Sequence, residues 1–240
     1  MSPLLYTLHR VVAAVALAQI LVWTVSGLIF AILPGDRVSG AAVPRAHEAP
    51  IADVNAVVPV AEALRRARES GLPSVAKIEL RATPGGAFYV ARGEGGAVRL
   101  DAKTGAPAPV TVEEAEATAR RDQPGKPPVV ASERLEGSAG VEYRQKPLPA
   151  FRVELGDEWG TVVYVDATTG DVTARRTRAW RLFDLMYSLH IMDYKDRSDR
   201  NQPILIGAGV LALVTAASGA ALWGLRIARR IRRRRPRERA

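Results

Sequence analysis

Three histidines, 25 carboxylates and no cysteine bound the chemistry open to this 240-residue chain. Without thiols it forms no disulfide, Fe–S cluster or covalently attached c-type haem. His47-Glu48 lacks the second histidine of an H-E-x-x-H zinc motif and falls in a Pro/Ala/Gly-rich stretch, where it reads as solvated. There is no Walker A loop and no G-x-S-x-G elbow, and Gly93-Glu94-Gly95-Gly96 is too short for a dinucleotide loop, so it reads as a hairpin turn. His190 is different. Trp180, Phe183, Tyr187, His190 and Tyr194 fall at i, i+3, i+7, i+10 and i+14, which puts four aromatics and one imidazole on a single helical stripe, with Leu182, Leu185, Met186 and Leu189 on a second.

That stripe has two readings. In one, an amphipathic helix lies at a membrane–water interface, the four aromatics form its belt and His190 sits at the polar margin. In the other, His190 is an axial ligand of haem b, for which neutral imidazole is the usual donor, and His9 is the other candidate. At 1.5 Å per helical residue these two histidines are about 30 Å apart, so one haem cannot take both from one chain and would need a second protomer or another subunit.

Residues Val58 to Ser70 read as a helix closed by Gly71, followed by strands over Val75 to Arg81, Ala87 to Arg92 and Ala97 to Ala102. The order recurs. A second helix spans Thr111 to Arg121, with Thr111 and Glu114 spaced as a capping box, and strands come after it near Val129 to Leu135, Ala150 to Leu155, Gly160 to Asp166 and Asp171 to Arg175. The repeat is marked by Asp101-Ala102-Lys103-Thr104-Gly105 and Asp166-Ala167-Thr168-Thr169-Gly170. One carboxylate per copy makes a poor cation site, so Asp101, Thr104, Gly105, Asp166, Thr169 and Gly170 are read as structural turns and no metal site is expected.

Val11 to Leu33 (23 residues) and Ile204 to Leu225 (22 residues) carry no charge and are long enough to cross a bilayer. The net charge of +9 sits outside the central region: residues 226–240 hold nine Arg against one Glu, whereas residues 34–203 hold 24 basic and 24 acidic side chains. A neutral central domain argues against nucleic-acid binding, and Arg10 with the Arg-rich tail places both termini in the cytoplasm. Ala208, Ala212, Ala216, Ala220 and Gly224 on one span, and Ala14, Ala18 and Ser26 on the other, offer close packing within one chain or across a homodimer, with Gln19 available to bond across the contact.

The chain resembles the PepSY family in its membrane-anchored form, the PepSY-associated transmembrane helix proteins. The resemblance covers almost the whole chain. It is carried by the order of Leu8-His9-Arg10, Trp23-Thr24-Val25-Ser26-Gly27, the two helix-meander copies with their D-A-x-T-G turns, Leu189-His190, Ser218-Gly219 and Trp223. It implies an α+β domain in which each helix packs on an antiparallel sheet, and binding or regulation more than catalysis. PepSY modules also occur in peptidase propeptides, where an inhibitory role is proposed, and larger multi-helix relatives are membrane reductases of iron uptake. With two spans this chain departs from the latter, and a self-contained transmembrane electron path is not expected.

The expected organisation is a cytoplasmic N-terminus (1–10), first span (11–33), linker (34–50), two tandem PepSY-like modules (51–109 and 110–178), an interfacial helix (179–194), a turn (195–203), second span (204–225) and cytoplasmic tail (226–240). The expected function is that of a two-pass bacterial inner-membrane protein, not an enzyme, whose periplasmic domain binds or regulates an unidentified periplasmic or membrane protein. The alternative is a haem-carrying or accessory subunit of a membrane reductase.

Overall fold

The computed structural model describes residues 3–35, 38, 56–83, 85–137, 140–195, 197 and 202–234; His47 and its linker lie outside them. The chain forms two compact units, one of Pro34–Leu182 and one of Met1–Leu33 with Phe183–Ala240. The architecture is α+β, with two antiparallel sheets.

In the unit Pro34–Leu182, α2 (Val60–Glu69) precedes β1 (Lys77–Thr83), β2 (Gly86–Gly93) and β3 (Gly96–Asp101), which form a three-stranded sheet in that order. Its register stacks Leu80, Tyr89 and Leu100 in one row and Ile78, Ala91 and Val98 in the next, so side chains at alternate positions meet on one face. That face packs on α2 through Ala63 and Ala67, both fully buried. Two alanines four residues apart form a flat stripe that lets a helix backbone come close to a sheet. Gly93 is also a close approach: a Cβ there would lie 1.6 Å from the Ser74 carbonyl oxygen.

The second half repeats the plan. α3 (Val112–Asp122) lays Ala115 and Ala119 on a four-stranded sheet of β4 (Val129–Leu135), β5 (Ala150–Leu155), β6 (Val162–Asp166) and β7 (Val172–Arg176), against Phe151, Val153, Val163 and Val165. The opposite face is covered as well. Tyr143, from a 3₁₀ turn at Val141–Tyr143, stacks on Tyr164 at 4.5 Å between ring centres and packs with Val162 and Ala174, so every residue of β6 is buried. Sequence alternation anticipates the α3 side and not this second layer.

Both D-A-x-T-G segments are turns of one design. Asp101 Oδ1 accepts from the N–H groups of Lys103 and Thr104, and Asp166 Oδ1 accepts from those of Thr168 and Thr169, at 2.7–2.9 Å. Gly105 (φ +71°) and Gly170 (φ +77°) reverse the chain, each N–H donating back to the Asp carbonyl.

The two halves are joined by charge. Arg99 of β3 and Glu114 of α3 form a buried ion pair, in which Thr83 Oγ1 donates to Glu114 at 2.5 Å and the guanidinium lies 3.4 Å from the Phe88 ring centre. Asp171 accepts from both Arg81 and Arg92 of the first sheet. The α3 cap differs from the expected reciprocal box. Thr111 Oγ1 accepts from the Glu114 N–H at 3.2 Å, but the Glu114 carboxylate bonds Arg99 and Thr83, because a buried guanidinium is a stronger partner than an exposed backbone N–H.

In the other unit, α1 (Pro3–Ile32) and α5 (Pro203–Arg234) contain stretches apolar and long enough to cross a membrane, Arg10–Ile32 and Pro203–Ile231. The two helices touch within the chain. The four-residue ladder expected from the sequence is only partly used: Ala212 and Ser26 are buried, whereas Ala14, Ala18, Ala216 and Ala220 are exposed and Ala16 is buried instead. The covered side of α1 runs Ala13, Ala16, Ile20, Trp23, Gly27 and Phe30, in alternating steps of three and four. A helix of 3.6 residues per turn keeps such a row on one side, while a strict four-residue ladder drifts around it. The Gln19 amide nitrogen is buried and has no bonding partner among the described residues.

Candidate functional site

The helix α4 (Arg178–Ile191) is shared by the two units: its first turn belongs to Pro34–Leu182 and its remainder to the unit of the apolar helices. Thr177 caps its start by accepting from the Trp180 N–H at 3.1 Å. In that first turn Arg181 donates through Nε to Glu142 at 2.6 Å and through Nη1 to the Gly160 carbonyl at 2.9 Å. Burial would raise the Glu142 carboxyl, but the Arg181 guanidinium, aided by the Tyr164 hydroxyl, holds it below the usual carboxylate range. Burial pushes the Tyr164 and Tyr143 hydroxyls up.

The later turns of α4 pack on α1. Phe183 meets Phe30 with ring centres 4.9 Å apart and lies parallel to Tyr187 at 6.1 Å. His190 lies edge-on to Phe30 at 5.3 Å and 6.4 Å from Trp23, whose indole N–H donates to the His190 carbonyl at 2.9 Å. Trp23 in turn reaches Gly209 of α5. Facing the imidazole, Ser26 Oγ stands 2.7 Å from Nδ1. Its one proton goes to the Val22 carbonyl at 2.8 Å, the usual back-bond of a helical serine, which leaves an oxygen lone pair towards His190. That lone pair matches the imidazole tautomer with Nδ1–H, and Nε2 has no hydrogen-bond partner among the described residues.

The aromatics of the stripe have different neighbours along α4. Phe183 and His190 form a seam with α1 and Tyr187 stacks on Phe183, while Leu182 and Leu185 of the second stripe are left 43% and 50% exposed. Trp180, one turn earlier, lies instead beneath the guanidinium of Arg176, 4.0 Å from its ring centre. Tyr194 is beyond the helix and exposed, because α4 stops at Ile191 and Met192 turns into the left-handed region (φ +56°). Asp184 and Ser188 of α4 are buried: Asp184 pairs with Arg197, and Ser188 donates to the Leu185 carbonyl.

The His9 side chain lies outside the described residues, but its place on α1 is 17 residues from Ser26, about 25 Å along the helix. His9 and His190 are therefore not brought together. The sequence pattern alone did not assign Trp23, Ser26 and Phe30 to the His190 site, although their spacing of three and four on an apolar helix, with a hydroxyl among them, is the signal that marks them. Among the described residues no cluster of three or more His, Asp or Glu side chains could hold a metal ion.

A family model described as the PepSY-associated TM region matches residues 70–240, which takes in both D-A-x-T-G turns, α4 with His190, and α5. No curated protein and no solved structure matches the chain. The order of these elements and the extent of the match lead to one assignment: the chain belongs to the PepSY-associated TM region family of membrane proteins.

Proposed function

We propose that this is a two-pass protein of the bacterial inner membrane, not itself an enzyme, whose unit Pro34–Leu182 faces the periplasm and binds or regulates a protein partner. Arg10 ahead of α1 and the arginines that end α5 support cytoplasmic termini. The division of the periplasmic unit into two PepSY modules is supported by the repeated helix-and-sheet plan and its twin turns.

The observation that carries the regulatory reading is α4. This one continuous helix is fixed at its start to Glu142 and Gly160 and near its end to Trp23 and Ser26 of a bilayer helix. A change in the periplasmic unit that moves its anchor acts directly on the His190 seam. Because the chain has no cysteine, single-cysteine variants test the topology cleanly. Lys103→Cys is expected to react with an impermeant maleimide in cells whose outer membrane alone is permeabilised, and Arg230→Cys only after the inner membrane is opened. The reverse pattern would overturn the topology. Photocrosslinkers placed on exposed positions of the periplasmic unit are expected to yield a discrete adduct, and their failure at every position would overturn the binding role.

His190 supports a second reading, a haem-carrying or accessory subunit of a membrane reductase. Its Nδ1 faces Ser26, its Nε2 is unpartnered among the described residues, and Phe30 and Trp23 pack beside it. His190 would hold haem b, with Ser26 orienting the imidazole, and the group would supply one-electron transfer; a further ligand would come from another protomer or subunit. A reduced-minus-oxidised spectrum of protein from haem-replete cells tests this: a stoichiometric b-type signal lost in His190→Ala is expected of the redox subunit, and a colourless folded protein would remove that reading.

A further inference from the structure

Between Asp171 and Asp184 the chain carries four arginines and no acid, at the point where it passes from β7 into α4. Arg175 pairs with Asp122 and Arg181 with Glu142. Arg176 donates to the carbonyls of Glu142 and Arg175 at 2.6 and 2.9 Å and lies over Trp180, which Arg144 also approaches, at 5.9 Å. Arg178 is exposed, and its guanidinium has no hydrogen bond or ion pair among the described residues. Its backbone N–H donates to the carbonyl of Trp159, an indole 51% exposed.

Along α4 the order is Arg178, whose N–H meets the Trp159 carbonyl, then Trp180, then exposed Leu182 and Leu185, and Phe183 of the same helix packs on Phe30 of a bilayer span. That is the order of chemistry in a leaflet: phosphate, interfacial zone, acyl chain. A cationic side chain at the headgroup level attracts anionic phosphate by its charge, and indoles favour the same level.

We propose that Arg178, with Arg176 and the indoles of Trp159 and Trp180, forms a headgroup site for an anionic phospholipid of the leaflet next to α4. The proposal rests on the membrane-spanning reading of α1 and α5, but not on which side of the membrane Pro34–Leu182 occupies, so it stands or falls separately from the cysteine-labelling result.

The test uses the full-length protein in phosphatidylcholine nanodiscs titrated with brominated phosphatidylglycerol, reading tryptophan quenching. Because a cationic side chain near a lipid surface contributes about 1 kcal/mol, Arg178→Gln is expected to raise the half-quenching fraction of the anionic lipid about fivefold, and Arg178→Lys to restore most of it. Trp23 and Trp223 add the same background to every variant, and titration with brominated phosphatidylcholine is expected to be unchanged. An unchanged half-point in Arg178→Gln, an Arg178→Lys variant as weak as Arg178→Gln, or an equal shift with the zwitterionic lipid would each overturn the site.

Discussion

Glu142 shows how a single side chain ties local chemistry to the stability of the unit Pro34–Leu182. Its carboxyl is held below the ordinary value of about 4.3 although burial opposes this, because Arg181 and Tyr164 both favour the charged form. A lowered folded-state value stabilises the fold above the unfolded value and loses that contribution as pH falls through the folded one. Urea midpoints measured between pH 5 and pH 3 are thus expected to fall more steeply for the wild type than for Glu142→Gln, and parallel slopes would refute the assignment. Ser26 acts on His190 in a comparable way. Ser26→Ala is expected to cost about 0.6–2 kcal/mol of helix association and to release the tautomer, seen as both imidazole ¹⁵N resonances moving towards exchange-averaged positions. Retention of a fixed Nδ1–H signal would show that another group sets it.

At the level of elements, the strands and helices of Pro34–Leu182 are legible because their punctuation is local. Gly-rich hairpins, D-A-x-T-G turns and alanines four apart each act within a few residues, and β4 and β5 coincide with the runs read from composition. The second layer on β6 was not legible, since Tyr143 comes from a segment rich in charged and turn-forming residues whose fold depends on a contact 21 residues away. The His190 seam is harder still. Ser26 and His190 are 164 residues apart, and a stripe of aromatics looks the same whether it faces lipid or a neighbouring helix. The β2–β3 hairpin gives a sharp test of packing. Gly93→Ala puts a methyl into the Ser74 carbonyl, and a loss of about 1–3 kcal/mol is expected in chemical denaturation, whereas Gly137→Ala, with nothing within 4 Å of its Cβ and no left-handed backbone, should be much milder.

Over the whole molecule, the buried Arg99–Glu114 pair decides whether the two helix-and-sheet halves act as one body. Removing one partner strands the other charge inside the protein, so Glu114→Ala is expected to destabilise by about 3–5 kcal/mol and to broaden the unfolding transition as the halves separate. A cooperative transition with an unchanged midpoint would show that Asp171 and its two arginines suffice.

Because α4 is held at Arg181 and again at His190, any signal passing through it depends on angular phase. Each residue added to a helix turns the downstream turns by about 100°, so one alanine inserted after Leu182 rotates the His190 anchor out of register, whereas seven complete almost two whole turns. A response that vanishes with one inserted residue and returns with seven would identify α4 as a torsional shaft. A response that declines steadily with length would make it a simple tether.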